Sequence, residues 1–210
     1  MAQPPTQHIY LASRSSRRRE LLKQIGVSFE VLLLREGPGR GSDVDETTLP
    51  GETPSDYVMR VAREKAQAGW QRLGQRRLLR FPVLAADTAV AVDQQILGKP
   101  SGREQALAFL RRLSGRSHYV HTAVAVCLES RMELLVSTTE VRFRELGEPE
   151  MRGYVATGEP MDKAGAYAIQ GRAAAFIPSI SGSYSGVMGL PLFETSDLLG
   201  RFGYSMLSAR

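Results

Sequence analysis

Residues 81–100 read FPVLAADTAVAVDQQILGKP, and this segment says most about the architecture. Its long apolar run predicts a buried strand, and the polar DQQ followed by ILGKP predicts a hairpin return. One acid, Asp87, interrupts the run. We expect its carboxylate at the end of the strand and partly desolvated, where it can bind a metal, act as a base or accept backbone N–H groups. An Asp that only caps a turn is the alternative.

The segments on either side alternate between strand and helix patterns. Strands are predicted at HIYLAS (8–13), VSFEVLLL (27–34), HYVHTAVAVCLE (118–129) and RMELLVSTTEVRF (131–143). Helices are predicted at RRRELLKQIG (17–26), SDYVMRVAREKAQAGWQRL (55–73), REQALAFLRRLSG (103–115), EPEMRGYVAT (148–157) and FETSDLLGRFGY (193–204). Residues 35–55, rich in Gly, Pro, Thr and acids, predict a long loop. The alternation predicts an α/β fold with a mixed sheet, built as one domain over residues 1–210.

The composition excludes several classes of protein. The chain has 210 residues, of which 42% are hydrophobic and 23% charged, so disordered, collagen-like and coiled-coil chains are excluded. No apolar stretch reaches the roughly 18 to 20 residues of a membrane span, and one cysteine cannot form an internal disulfide. The N-terminus has no signal-peptide pattern, so we expect a cytoplasmic protein.

The net charge of +5 indicates an anionic partner, which can be nucleic acid, a membrane surface or a phosphorylated small molecule. A run of basic residues at 72–80 lacks interleaved aromatics and is expected to form the solvated end of a helix. That argues against nucleic acid.

A second candidate site is the segment SRSSRRR, residues 13–19. Arginines in the first turn of a helix are unfavourable because the positive end of the helix dipole lies there. A bound phosphate would resolve the conflict, since free backbone N–H groups and arginine side chains bind phosphate together. A solvated, Arg-rich helix start with a Ser cap is the alternative.

Four further residues are candidates on their local context. Lys65 lies at the edge of a buried helical stripe, and Lys99 is fixed between Gly98 and Pro100. Glu46, in the acidic loop, could supply a second carboxylate to a magnesium ion. Gln170 has the pattern of a buried amide, which could pair with a nucleobase edge that presents one donor and one acceptor. Each also has a simpler explanation: Lys65 as part of a surface pair, Lys99 as a hairpin-tip residue, Glu46 as part of a solvated loop and Gln170 as an amide satisfied by backbone in a turn.

Five strings of the sequence, in order along the chain, match one known family: YLASRSSRRRELLKQIGVSFEVL (10–32), VAREKA (61–66), AADTAVAVDQQILGKP (85–100), LSGRSHYVHTAVAV (113–126) and GEPMDKAGAYAIQGRAAAFIPSISGSYSGVMGLPLFET (158–195). On these strings the chain resembles the Maf family of nucleoside triphosphate pyrophosphatases. The resemblance implies an elongated mixed sheet like that of the inosine-triphosphate pyrophosphatases, with flanking helices and a cleft between two lobes. It also implies a homodimer.

The implied reaction splits a nucleoside triphosphate into the monophosphate and pyrophosphate with a divalent cation, Mg²⁺ or Mn²⁺. By motif match, Asp87 is the proton acceptor for the attacking water and also a metal ligand, with Glu46 as the second metal ligand. The phosphate-binding residues are Ser13, Ser15, Arg18, Lys65 and Lys99. Arg14 and Ser16 depart from the family's usual A-S-x-S-P-R-R start.

Three positions of the pattern imply the substrate. Arg17, Thr88 and Gln170 match the subgroup that acts on dTTP and UTP. Modified pyrimidine nucleotides are an alternative substrate. A nucleotide-binding regulator of septum formation and cell division, with little turnover, is the alternative function. A nucleotide is the expected partner, with neither nucleic acid nor a membrane.

Overall fold

The computed structural model describes residues 8–35 and 42–204. Its strands are β1 Ile9–Leu11, β2 Phe29–Val31, β3 Val83–Val92, β4 Gln95–Leu97, β5 Ser117–Leu128, β6 Arg131–Arg142 and β7 Ser179–Ser181. Its α-helices are α1 Ser16–Gln24, α2 Pro54–Arg76, α3 Arg103–Leu113, α4 Glu148–Ala156, α5 Tyr184–Met188 and α6 Leu192–Arg201. No helix in the described ranges is long and apolar enough to cross a membrane.

The strands form one mixed sheet in the order β2-β1-β3-β5-β6-β7, with β4 paired to β3. The pairs β1–β2 and β1–β3 are parallel, whereas β3, β4, β5, β6 and β7 pair antiparallel. The predicted α/β class, mixed sheet and flanking helices are therefore confirmed, as is the hairpin of β3 and β4. The sequence patterns did not reveal β7 and α5, because both are short.

Two local predictions need correction. Asp87 does not end a strand: it is the fifth residue of the ten-residue strand β3 and pairs with Ala123. Apolar residues continue past it from Ala89 to Val92, so one buried acid does not stop the strand. The predicted loop 35–55 ends early, because α2 begins at Pro54 with Thr53 as its cap; its residues 36–41 lie outside the described residues.

Three apolar clusters pack against the sheet. One joins α1 and α6 to one face of β3 through Leu84 and Ala86. Another joins α2 to the opposite face through Val83, Ala85 and Ala89. The remaining cluster collects α3, α4 and the short turns after α4 around the far end of β3. Because side chains of a strand alternate between faces, Asp87 points to the α2 face and Thr88 to the other.

An opening in the sheet follows from the lengths of β1 and β4. β1 pairs with β3 at Val83 and Leu84, and β4 pairs with the same edge from Val90 to Val92. Within the described part of the chain, no strand pairs with this edge of β3 between those two stretches. The opening lies beyond the carboxyl end of β1, a position where ligands bind in open α/β sheets. Asp87 and Thr88 lie in it.

Helix α2 packs closely on the sheet because one of its residues lacks a side chain. A Cβ on Gly69 would lie 2.7 Å from Val83 Cγ1 and 3.3 Å from Ala12 Cβ. Gly74 lies in the same helix, and a Cβ there would meet nothing within 4 Å. An alanine at position 69 therefore changes both the packing and the helix propensity, whereas an alanine at position 74 changes the helix propensity alone.

We predict that Gly69→Ala lowers the free energy of unfolding by about 1–3 kcal/mol, because overpacking outweighs the gain in helix propensity. The matched variant Gly74→Ala should raise it by about 0.5–1 kcal/mol. Urea unfolding followed by circular dichroism measures both. Equal stabilisation by the two substitutions would show that α2 does not need the close approach.

Candidate active site

A cavity of about 770 Å³ opens at the gap in the sheet. Its lining includes every site residue predicted from the sequence, namely Ser13, Ser15, Arg17, Arg18, Glu46, Lys65, Asp87, Thr88, Lys99 and Gln170. The chain brings them from α1, the acidic loop, α2, β3, the β4 hairpin and a turn after α4. The structure thus places together residues that lie up to 157 positions apart, from Ser13 to Gln170.

Asp87 is the buried acid of the cavity, with 6% of its surface exposed. The Nζ atom of Lys65 lies 2.7 Å from Asp87 Oδ1 and 2.8 Å from Glu46 Oε1, so one ammonium group joins the two carboxylates. Burial raises the pKa of Asp87, while the positive charges of Lys65 and Arg18 act in the opposite direction. A buried carboxylate held between cations in this way can accept a proton.

Arg18 lies at the start of α1, and three hydrogen-bond acceptors fix its guanidinium group. Its Nε donates to Gly189 O at 2.7 Å, Nη1 to Ser13 Oγ at 3.2 Å and Nη2 to Thr88 Oγ1 at 3.3 Å. Burial lowers its pKa, and the nearby Asp87 charge counteracts this. Arg18 therefore ties α1 to β3 and α5, besides adding positive charge to the cavity.

The two serines at this turn have local partners. Ser15 caps α1 by accepting from Arg18 N–H, and Ser13 Oγ accepts from Ser15 N–H at 3.2 Å. Arg14 is exposed and donates to Leu34 O. The strand-to-helix turn is thus held in one shape before any ligand binds.

Three side chains at the cavity differ from these fixed ones. Arg17, Lys99 and Gln170 line it, and none makes a side-chain hydrogen bond or ion pair to another residue of the described ranges. Gln170 was predicted to be buried, which is wrong: it is exposed, in the turn after Ile169. The buried neighbours Ala168 and Ile169 supply the apolar pattern, whereas the amide itself faces the cavity. All three groups can contact a ligand.

The basic run at 72–80 also needs correction at one position. Arg72 is buried, and its Nε and Nη2 donate to Asp43 at 2.7 and 2.8 Å. It anchors the acidic loop to α2 and is not part of a solvated helix end. Arg76, Arg77 and Arg80 are exposed, as predicted.

The comparisons with known proteins agree with the sequence motifs. A family model described as "Maf-like protein" matches residues 8–202. The chain belongs to the Maf family. The match covers all of β1 through α6, so the strands and helices that surround the cavity are those of the family.

Curated relatives cover nearly the whole length. A protein of Nitrosomonas europaea named dTTP/UTP pyrophosphatase is 57% identical over 98% of this chain and 100% of its own. Proteins of the same name from Aromatoleum aromaticum and Nitrosospira multiformis are 58% and 59% identical, over 97% and 91% of this chain and 99% and 92% of their own. The solved structure of the Staphylococcus aureus Ham1 protein aligns with 80% of this chain and 90% of its own at a TM-score of 0.46 and 16% identity.

The donor set of the Maf cavity fits a magnesium or manganese ion. Among the described residues, no group of three or more His, Cys, Asp or Glu side chains could hold a metal. Asp87 and Glu46, however, both contact Lys65 Nζ, so one oxygen of each carboxylate lies at the same ammonium group. Mg²⁺ is typically held by one or two carboxylates together with water and substrate phosphates, so a pair of carboxylates is sufficient.

Two residues that support the Maf cavity are not indicated by the sequence motifs. Tyr57 lines the cavity, and its hydroxyl donates to Glu46 O at 3.1 Å, which holds the acidic loop against α2. Thr122, on β5, is 1% exposed and lies behind Thr88. Neither residue stands out in the sequence, because Tyr57 belongs to the apolar stripe of a predicted helix and Thr122 to a predicted strand of alternating residues.

Thr122 determines how the Thr88 hydroxyl is directed. Thr122 Oγ1 lies 2.8 Å from Gly186 O and 3.0 Å from Thr88 Oγ1. A hydroxyl has one proton, and the Gly186 carbonyl can only accept, so Thr122 donates to Gly186 and accepts from Thr88. Thr88 therefore donates inward, accepts from Arg18, and has one lone pair left for the cavity.

We predict that Thr122→Val lowers the free energy of unfolding by about 1–3 kcal/mol, because it removes a buried hydroxyl that bonds both Gly186 O and Thr88 Oγ1, and Gly186 O then keeps only the N–H of Gly189. Thr138→Val is the matched control: Thr138 is exposed on β6, and the change there should be within about 0.5 kcal/mol. Urea unfolding measures both variants. If Thr122→Val proves as stable as the control, the hydrogen bonds of the Thr122 hydroxyl do not stabilise the fold.

Proposed function

We propose that this protein is a nucleoside triphosphate pyrophosphatase that hydrolyses dTTP and UTP to the nucleoside monophosphate and pyrophosphate. The observation that carries the proposal is the buried Asp87 carboxylate, which shares one cavity with Arg17, Lys99 and the free amide of Gln170. The names of the curated relatives support the same substrates. The resemblance-based homodimer stays a prediction.

The cations of the cavity suit the charge of a triphosphate. Phosphoryl transfer needs positioning and electrostatic stabilisation more than covalent help from the protein. Arg17 and Lys99 have no ion pair within the described residues, so their charge is available to phosphate oxygens. Lys65 and Arg18 are already engaged by protein acceptors and add to the positive field around the same space.

Asp87 is the group best placed to take the proton of the attacking water. Burial raises its pKa, which strengthens it as a base, while Lys65 and Arg18 favour the charged form that can accept a proton. Lys65 also fixes Oδ1 by a hydrogen bond of 2.7 Å, which leaves Oδ2 for water. The hydrogen bond from Lys65 and the packing of the sheet around Asp87 hold the carboxylate in one orientation.

A divalent cation would be held by Asp87 and Glu46 together with the phosphates of the substrate. When bound, it would supply Lewis-acid stabilisation of the negative charge on phosphate oxygens. The two carboxylates would then serve three purposes between them: holding the ion, holding Lys65 and accepting the proton. Asp87, the more buried of the two carboxylates, would accept the proton.

Gln170 is the proposed reader of the base. Its amide can donate to O4 and accept from N3–H of uracil or thymine, a pattern that cytosine presents in reverse. Because an amide can rotate to exchange its donor and acceptor, the discrimination depends on what fixes the position of Gln170. Thr88, on the other side of the opening, offers its remaining lone pair to a donor of the substrate.

We predict that Asp87→Asn keeps the fold and lowers kcat for dTTP by about 10²–10⁴-fold, because an amide cannot accept the proton of water. Asp93→Asn is the matched control, since Asp93 is an exposed acid in the β3–β4 turn. Pyrophosphate release with magnesium present measures both. Near wild-type turnover by a folded Asp87→Asn variant would contradict the assignment, and absence of turnover in the wild type would favour the nucleotide-binding regulator.

We predict that Gln170→Glu changes substrate preference more than stability, because a carboxylate cannot donate to O4 and Gln170 is exposed with no side-chain partner in the described chain. The measurement is kcat/KM for dTTP, UTP, CTP and modified pyrimidine triphosphates, next to the unfolding midpoint. An equal loss on every nucleotide would mean that Gln170 acts structurally.

A further inference from the structure

Gln170 lies in a turn that is fixed from behind by two polar side chains. The turn runs from Ala168 to Arg172, with Gly171 N–H donating to Ala168 O at 3.0 Å. Behind it lie Tyr154, in the last turn of α4, and Glu159, three residues beyond that helix. Neither Tyr154 nor Glu159 is among the lining residues of the cavity.

One continuous path of hydrogen bonds closes around the turn. Ala168 N–H donates to the Tyr154 hydroxyl at 3.2 Å, and that hydroxyl donates to Glu159 Oε1 at 3.0 Å. Arg172 N–H donates to the same carboxylate, at 3.0 Å to Oε1 and 3.2 Å to Oε2. Both ends of the turn are therefore held by one tyrosine–glutamate pair, which we name the turn clamp.

The clamp is rigid on the side of the protein core. Tyr154 is 4% exposed, and its ring packs edge-on against Phe176 with centroids 5.1 Å apart. Thr157, between the two clamp residues, accepts from Glu159 N–H and donates to Tyr154 O. The hydroxyl of Tyr154 is thus fixed by packing and by its own helix end, so the turn is held in place by a fixed support.

A glycine makes room for the clamp. A Cβ on Gly171 would lie 2.3 Å from Glu159 Oε1 and 2.6 Å from Cδ. The backbone at Gly171 has φ −106°, which other residues adopt, so the need for glycine here is space and not conformation. Glu159 and Gly171, which lie twelve positions apart in the matching string 158–195, are therefore in direct contact.

We propose that Tyr154 and Glu159 are positioning residues for base recognition: the turn clamp holds the Gln170 amide where it pairs with uracil or thymine. This rests on the proposed function. Gln170 makes no side-chain hydrogen bond to another described residue, so the backbone of its turn sets where its side chain can reach. Loss of the clamp frees that backbone, so the amide no longer meets the edge of the base at a fixed place and the preference for uracil over cytosine falls.

The test measures binding, so that it does not depend on turnover. Dissociation constants for the α,β-methylene analogues of UTP and CTP, and for pyrophosphate, are determined by calorimetry with magnesium present. We expect Tyr154→Phe to lower the preference for the UTP analogue by about tenfold, the order of one or two lost hydrogen bonds, without changing the affinity for pyrophosphate.

Gly171→Ala opens the clamp by a second route. The added methyl group must displace the Glu159 carboxylate, which is the flexible end of a side chain, so the same loss of preference is expected while Tyr154 keeps its hydroxyl. Tyr204→Phe is the matched control, because Tyr204 is also buried and its hydroxyl accepts from Ser28 N–H in a different apolar cluster. Its UTP-to-CTP preference should equal that of the wild type.

The outcomes separate the two proposals. An unchanged preference in folded Tyr154→Phe and Gly171→Ala overturns the clamp, and so does a uniform loss of affinity for both analogues and pyrophosphate. A wild type without preference overturns it as well. If Tyr154→Phe fails to fold, Gly171→Ala decides. Pyrophosphate release from dTTP and UTP by the wild type is scored separately, and its absence contradicts the proposed function alone.

Discussion

A carboxylate in the middle of an apolar strand must have partners, and Asp87 obtains them from two helices. Charged groups are expensive to bury unless paired, and a buried pair requires good geometry to offset the loss of hydration. Lys65 of α2 reaches Asp87 directly, and Arg18 of α1 contributes its charge from the opposite side of the opening. The positions of both helices relative to β3 are therefore tied to this buried acid.

Neighbouring residues on β3 divide the site between the two faces of the sheet. Asp87 faces α2 and the acidic loop, where Lys65 and Glu46 lie. Thr88 faces α1 and α5, where it meets Arg18 and Thr122. Both reach one cavity because β1 ends before, and β4 begins after, this part of the strand. The alternation of side chains along a strand thus brings two polar side chains from opposite faces of the sheet to one cavity without a bend in the chain.

The sequence allowed the sheet, the main helices and the residues that meet at the cavity to be predicted, but not how they are supported. Asp87 was found because an acid in an apolar run is conspicuous, yet its place in mid-strand depends on the partner strand β5. Gln170 was misjudged because apolar neighbours do not show which way a turn faces. Thr122 and Tyr154 look like ordinary core residues, and only the hydrogen bonds show their roles.

Charge and specificity are supplied by different parts of the molecule. The serines and arginines of residues 13–19 lie in the turn after β1 and in the first residues of α1, next to the cluster that packs α1 and α6 on the sheet. The turn that carries Gln170 is instead supported by α4 and its clamp, within the cluster at the far end of β3. Cations attract every triphosphate equally, so they cannot distinguish bases. Under the proposed function, discrimination comes from the Gln170 amide, and the exposed turn that carries it is held by the buried Tyr154.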